Sequence, residues 1–509
     1  MTGKQILGVL CGWIIGGAIT ANADDLDTIG LRLLRVIDTN LIGSGVKVAH
    51  PEGADGTAWQ VNPAVVGQPT NLFTYISSDG SASNYPNALG TESGHANTVA
   101  AFFYGTAFGV APGVSHVDNY EANYFYQSNI VFGGTFPARI VNQSFIFGND
   151  LLTQTTVDAQ YDEYAAQRNV LFVSGVGNGG PPSTPATAYN GIGVAAYGGF
   201  SSVGPTIDNQ RSKPDITAPG GVTSFSTPWV AGSAAVLAQA ALRGDAGAGT
   251  TNAAFDLRTL KALLLNGAVK PSNWTHTSSA PLDTRYGSGI LNIFNSCKQL
   301  SAGKYSFIES TATSAGSNTN NVASLTGWDL NSISDSPPQN RVNHYYFNPS
   351  MSTAKTFTLT ATLVWNRQVN QTGINDLDLF LYNTSNSTLV AASTSTVDNV
   401  EHIFITDLPA GRYDLQVSKK SGVGSILNNE TYALAFEIFA MPLSISKSGT
   451  NVVITWPIAP TGFTLQSTSD LNPPISWMTV TNAPVVANNQ NNVVLGATIA
   501  AQFFRLVRP

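Results

Sequence analysis

Apolar and polar positions change rhythm along this chain. Between residues 168 and 180, RNVLFVSGVGNGG is a continuous apolar run that breaks into glycines, the pattern of a parallel strand buried on both faces and ending at its carboxyl edge. TSFSTPWVAGSAAVLAQAA, residues 223–241, is small or apolar on nearly every side. That run predicts a helix packed all round, with Pro228 in its first turn, where a missing N–H costs little. Further on, TFTLTATLVW (356–365), DLDLFLY (376–382), VEHIFITDL (400–408) and RYDLQVSK (412–419) alternate, which predicts an antiparallel β-sandwich. Alternation returns in NVVITW (451–456), GFTLQS (462–467), ISWMTV (475–480) and NNVVLG (491–496), predicting one more small β module.

The amino terminus has a different pattern. Lys4, an apolar stretch from Ile6 to Ile19 and the small-residue signature Ala21-Asn22-Ala23 predict a secretory signal peptide cleaved after Ala23. A membrane anchor is the rival reading, but the stretch is short for a bilayer and interrupted by glycines. The expected organisation is a signal peptide over 1–23, an α/β domain over 24–302, a linker rich in Ser, Thr and Asn over 310–324, a β-sandwich over 325–440 and a β module over 441–509.

Charge and cysteine content narrow the class. The formal charge of −7 becomes −8 without Lys4, and charged residues make up only 11% of the chain, so no basic surface for nucleic acid is expected. Cys11 lies inside the predicted signal, leaving Cys297 alone; no intramolecular disulfide is available to the mature chain.

The chemistry concentrates around Ser224. A serine at the mouth of a helix sits among free backbone N–H groups that stabilise a nearby oxyanion, although a plain N-cap is the bland reading. The segment holds Thr223-Ser224, Thr227-Pro228 and Val230-Ala231-Gly232, preceded by Lys213-Pro214-Asp215 and Ala218-Pro219-Gly220. It resembles the serine motif of the subtilisin-like peptidases (subtilases). GHANTVAA at 94–101, followed by GVAPG at 109–113, resembles that family's histidine element, which implies His95 as general base. Asn178, after the apolar strand, resembles its oxyanion asparagine, with an Asn-Gly turn as the plain alternative. PATAYNGIGVAA and FSSVGP, within 185–205, are similar to the family as well.

The acid of the triad departs from the family pattern. Aligning GVKVAHPEGAD (45–55) with the family strand puts Glu52 where aspartate is usual, and glutamate orients histidine in triads on other folds. Asp38, within the literal letters VIDT, and Asp55 remain alternatives. Two further departures bear on the cleft. Ala218-Pro219-Gly220-Gly221-Val222 runs straight into Thr223, as though a hairpin were missing. Arg139–Phe145 resembles the substrate-binding strand, but Ile146 and Phe147 replace the glycines that usually follow. The resemblance implies that Ser144, Phe145, Ile146, Ser174 and Gly175 contact substrate.

These readings imply a three-layer α/β/α domain with a mostly parallel sheet, followed by a jelly-roll-like sandwich and a small β module. The implied function is that of a secreted serine endopeptidase acting on protein or peptide substrates, with no membrane span after signal cleavage. The rival is an inactive homologue that binds a cell surface or polysaccharide through its β modules. No cofactor is expected for the chemistry. Asp376 and Asp378, with Asn375 nearby, form a candidate structural calcium site, with hydrogen-bonded carboxylates as the default. Trp456, Trp477, Phe463, Phe503 and Phe504 read as core residues, with an exposed binding platform as their rival.

Overall fold

The computed structural model describes residues 23–310, 323–334, 341–349, 356–420, 429–440, 443–457, 463–470, 475–487, 490–497 and 502–507. All but the last residue of the predicted signal peptide, and most of the predicted linker, lie outside the described residues.

Helix α1 (Leu31–Ile37) leads into β1 (Lys47–Glu52). There follow β2 (Phe73–Ser77), β3 (Gly80–Ala82), α2 (Gly94–Phe103), β4 (His116–Glu121) and β5 (Ile140–Gln143). Next come α3 (Leu151–Arg168), β6 (Leu171–Gly175), β7 (Ile192–Tyr197) and β8 (Ile216–Pro219). Helices α4 (Thr223–Arg243), α5 (Leu257–Asn266) and α6 (Ile293–Ser301) complete this unit. One eight-stranded sheet runs β8-β7-β6-β5-β1-β4-β2-β3. Every pairing in it is parallel except the edge pair β2–β3, so helical crossovers must cover its faces. That is why β6 is wholly buried and polar only at Ser174.

Helix α4 passes through the core, and its small residues let it come close to its neighbours. A Cβ at Gly232 would meet Val110 Cβ at 2.6 Å. The helix stops at Gly244, whose φ of 86° lies in the left-handed region that favours glycine. One expectation fails here: Pro228 is inside the helix rather than in its first turn, because α4 already begins at Thr223.

Beyond α6, β9 (Ile308–Ser310), β10 (Thr326–Ser334), β11 (Val342–Phe347), β12 (Thr356–Trp365), β13 (Leu377–Asn383), β14 (Thr388–Ser393), β15 (Val400–Pro409), β16 (Tyr413–Lys419) and β17 (Asn429–Phe439) form two antiparallel sheets, β9-β11-β16-β13-β14 and β10-β17-β12-β15. Their inner faces share a core including Tyr345, Leu359, Trp365, Leu379 and Phe436. Polar seams tie this sandwich to the α/β unit. Asn266 Oδ1 accepts the hydroxyls of Thr360 and Thr362 at 2.9 and 3.0 Å, and Asp398 accepts the Ser212 N–H at 2.7 Å.

At the candidate calcium site, Lys420 Nζ stands 2.9 Å from Asp376 Oδ2 and 3.5 Å from Asp378 Oδ1. An ammonium already occupies the space between the carboxylates, so the pair does not fit a calcium ion while Lys420 remains there. Among the described residues no cluster of three His, Cys, Asp or Glu side chains suits a metal. None of the helices among them is long and apolar enough to cross a membrane. The last segment folds into two small antiparallel sheets around Ile454, Trp456, Leu465 and Val493. Phe504 packs against that core, Phe503 is exposed, and Trp477 lies under the Arg505 guanidinium at 4.4 Å.

Candidate active site

The carboxyl ends of the parallel strands and the amino ends of two helices converge on one cleft, where open α/β sheets place ligands. Glu52 is the last residue of β1 and is buried. His95 is the second residue of α2, whose start is fixed by Ser93 Oγ accepting the Ala96 N–H at 3.1 Å. The two side chains meet: Glu52 Oε1 lies 2.5 Å from His95 Nδ1. Burial pushes the Glu52 carboxyl up, but the His95 charge, the neighbouring His50 and the hydrogen bond from His95 bring its pKa down to about 2. For His95, burial works downwards and is outweighed by the Glu52 carboxylate, so the imidazole is held above its ordinary 6.5.

Ser224 is the second residue of α4, where a backbone N–H has no acceptor within the helix. Asn178 caps this helix from another element, its Oδ1 accepting the Thr223 N–H and hydroxyl, each at 2.9 Å. Gly177, at φ 100°, turns the chain out of β6 so that Asn178 can reach. Because a backbone N–H can only donate, the Asn178 oxygen must face Thr223, and its amide NH₂ remains available to an oxyanion.

Ser224 and Ser144 hold one another across the cleft floor. Ser144 Oγ donates to the Ser224 carbonyl at 2.9 Å, and Ser224 Oγ donates to the Ser144 carbonyl at 3.3 Å. The Ser224 carbonyl is free to accept because its helical partner would be residue 228, a proline without an N–H. Among the described residues Ser224 Oγ makes no hydrogen bond with His95; such bonds are commonly loose until substrate binds.

The other candidates differ in exposure, and Ser174 and Gly175, expected to contact substrate, are both buried. Phe145 is half-buried and Ile146 is 43% exposed at the cleft. Ser174 is buried and donates to Gln143 Oε1. Gly175 lies under α4, where a Cβ would come within 3.0 Å of Thr227 Oγ1. Asp38 is elsewhere, paired with Arg243 at 2.6 Å; Arg243 ends α4, roughly 28 Å along the helix from Ser224. Asp55 is exposed in a turn with Ala58. The direct link from β8 to α4 leaves a cavity of about 290 Å³ lined by Phe102, Tyr197, Phe225, Trp229 and the Gly220–Gly221 backbone. The Phe225 ring stands 5.8 Å from that of His95.

His50 and Tyr104 escape sequence reasoning. His50 Nε2 is 3.5 Å from Glu52 Oε2, and His50 Nδ1 is 2.9 Å from the Tyr104 hydroxyl. The available signal was a histidine in an apolar strand, two residues before the acid and on the same strand face.

Residues 68–289 match the subtilase family, peptidase S8. The chain carries a subtilase domain. His95, Asn178 and Ser224 fall inside the matched segment, and Glu52 precedes it. Among solved structures, a mutant protease domain of PatA is 21% identical over 51% of this chain and 97% of its own, at a TM-score of 0.39. The prenylagaramide maturation protease PagA is 21% identical over 54% of this chain and 99% of its own, at 0.37. Tripeptidyl peptidase 2 is 12% identical over 78% of this chain and 45% of its own, at 0.33. No curated protein matches the chain.

Proposed function

We propose that this subtilase domain makes the chain a secreted serine endopeptidase acting through Ser224, His95 and Glu52. The observation that carries this reading is the 2.5 Å contact between buried Glu52 and His95, across a cleft from a serine at a helix amino terminus. Ser224 Oγ attacks the peptide carbonyl as His95 takes its proton on Nε2, while Glu52 accepts the hydrogen bond from Nδ1–H and, staying ionised, stabilises the imidazolium. The carbonyl electrons move onto oxygen, where the Ser224 N–H and the Asn178 amide receive them. Collapse expels the amine, protonated by His95. Water, activated by the same histidine, then releases the acyl group. Ser144, Phe145 and Ile146 would hold the substrate beside the nucleophile. The predicted signal peptide supports secretion.

Casein hydrolysis by the purified mature chain tests the proposal. Activity and fluorophosphonate labelling should both vanish in Ser224→Ala. One observation favours the silent binding homologue: the Ser224 hydroxyl is turned to the Ser144 carbonyl. A folded protein that neither hydrolyses casein nor reacts with the fluorophosphonate would establish that reading instead.

A further inference from the structure

Glutamate in the orienting position has one more methylene, and one more rotatable bond, than aspartate. A buried carboxylate held through one oxygen still swings about its last torsion, and its other oxygen is left needing a donor. Glu52 Oε1 is taken by His95. Oε2 is buried and faces His50 Nε2 at 3.5 Å, and among the described residues neither atom has a hydrogen-bond partner, so each is the nearest polar group that can satisfy the other.

His50 is itself fixed in place. It is fully buried, its carbonyl accepts Asn119 Nδ2 at 3.0 Å, and its Nδ1 meets the Tyr104 hydroxyl at 2.9 Å. Tyr104 is wedged edge-on against Phe73, with ring centroids 5.9 Å apart. An ionised Glu52 can only accept, so the ring must present a protonated Nε2 to it. The Tyr104 hydroxyl then donates to Nδ1, which fixes the tautomer.

We propose that His50, oriented by Tyr104, is a positioning residue that anchors the second oxygen of Glu52 and so aims the first at His95. The proposal rests on Glu52 being the orienting acid. It extends the polar series to Tyr104–His50–Glu52–His95, whose two middle members lie on β1 and whose outer members stand at the two ends of α2. The titratable groups facing it are few. His95 and Tyr104 come from α2 and its end, and Tyr75 comes from β2 beside Tyr104. Glu121, the β4 neighbour of Glu52, is engaged in accepting the Asn123 and Tyr124 N–H groups.

A donor to Oε2 stabilises the Glu52–His95 pair more when the pair is anionic than when it has gained a proton. Removing the donor must raise the apparent pKa of the pair, wherever the proton resides. The test uses the full mature chain as Ser224→Ala, which cannot digest itself, with nitrogen-labelled histidine followed by NMR as pH is varied. His50→Leu should raise the His95 titration midpoint by about 0.5–1 pH unit. His50→Gln, whose amide can reach the same oxygen, should return it towards the original value, and Tyr104→Phe should give a smaller rise. In the Ser224 enzyme the acid limb of kcat/KM should move likewise, with kcat down roughly 10-fold in His50→Leu and KM little changed.

An unchanged His95 midpoint in folded His50→Leu and Tyr104→Phe overturns the proposal. If His50→Leu does not fold, an unchanged midpoint in Tyr104→Phe overturns it alone. Casein hydrolysis that survives Glu52→Gln would defeat the triad reading separately, since the NMR titration needs no activity.

Discussion

The oxygen of the Asn178 side chain is clamped by Thr223, 2.9 Å from both its backbone N–H and its hydroxyl. Thr223, the residue before Ser224, therefore decides which way the Asn178 amide faces. Removing that donor in Asn178→Ala should lower kcat by about 10²–10³ with little change in KM, the size of effect one preorganised donor has in an enzyme of this kind. Thr223→Val keeps the N–H clamp and should cost less. Steady-state kinetics on a peptide substrate measures both.

The Glu52–His95 pair makes a signed pH prediction. With His95 raised above 6.5, the acid limb of kcat/KM should have its midpoint above that value. Glu52→Gln should move the limb down and reduce kcat by about 10⁴. Asp38→Asn should behave as wild type, since its partner Arg243 lies at the far end of α4.

Stability follows from the same two shifts. The lowered Glu52 stabilises the fold above its ordinary 4.5 and loses this effect as pH falls towards about 2. The raised His95 stabilises it below 6.5 and loses this effect as pH rises through its folded value. The stability difference between Ser224→Ala and Ser224→Ala with Glu52→Gln should therefore be greatest between 4.5 and 6.5. Urea denaturation across pH checks this.

Lys270 gives an opposite trend. Burial pushes its ammonium down to about 7, between the rings of Trp274 and of Phe404 on β15, at 5.1 and 5.2 Å. From about 7 up to its ordinary 10.5 the unfolded chain binds more protons at this site than the folded one, so its contribution to stability rises with pH. Lys270→Met should gain most over the parent at neutral pH and below, and the gain should shrink as pH rises towards 10.5. Melting temperatures of the pair measure it.

The seam at Asn266 is exposed to a single substitution. Asn266→Leu would leave the buried hydroxyl of Thr360 without its acceptor and that of Thr362 with His402 Nδ1 at 2.8 Å as its remaining partner, at about 1–3 kcal/mol for a group left unsatisfied. The melting temperature should fall, and replacing both threonines with valine in that variant should recover part of the loss.

Much of the site was legible because its parts sit in local motifs. Ser224, His95 and Asn178 each stand beside the turn or helix start that presents them, and the apolar run before Asn178 marks the end of β6. Glu52 was legible only by lining up GVKVA, since the letters VIDT around Asp38 are a better match to the family than to the geometry. The register of α4 was misread because its first N–H is capped by Asn178, 45 residues upstream, which no local pattern around Pro228 announces. His50 and Tyr104 were missed for a similar reason: they are 54 residues apart, and only the packing of α2 on β1 makes them partners.

That packing has one more consequence. Helix α2 carries His95 at its beginning and ends immediately before Tyr104, while β1 carries the matching Glu52 and His50 two residues apart. A helix docked on a strand at two points cannot slide by a turn and keep either contact. Seating of α2 is thus all-or-none for these contacts: the helix docks in one register and makes both the Glu52–His95 and the His50–Tyr104 hydrogen bonds, or it fails to seat and loses both. The same hydrogen bonds that would tune the base also proofread the docking of α2.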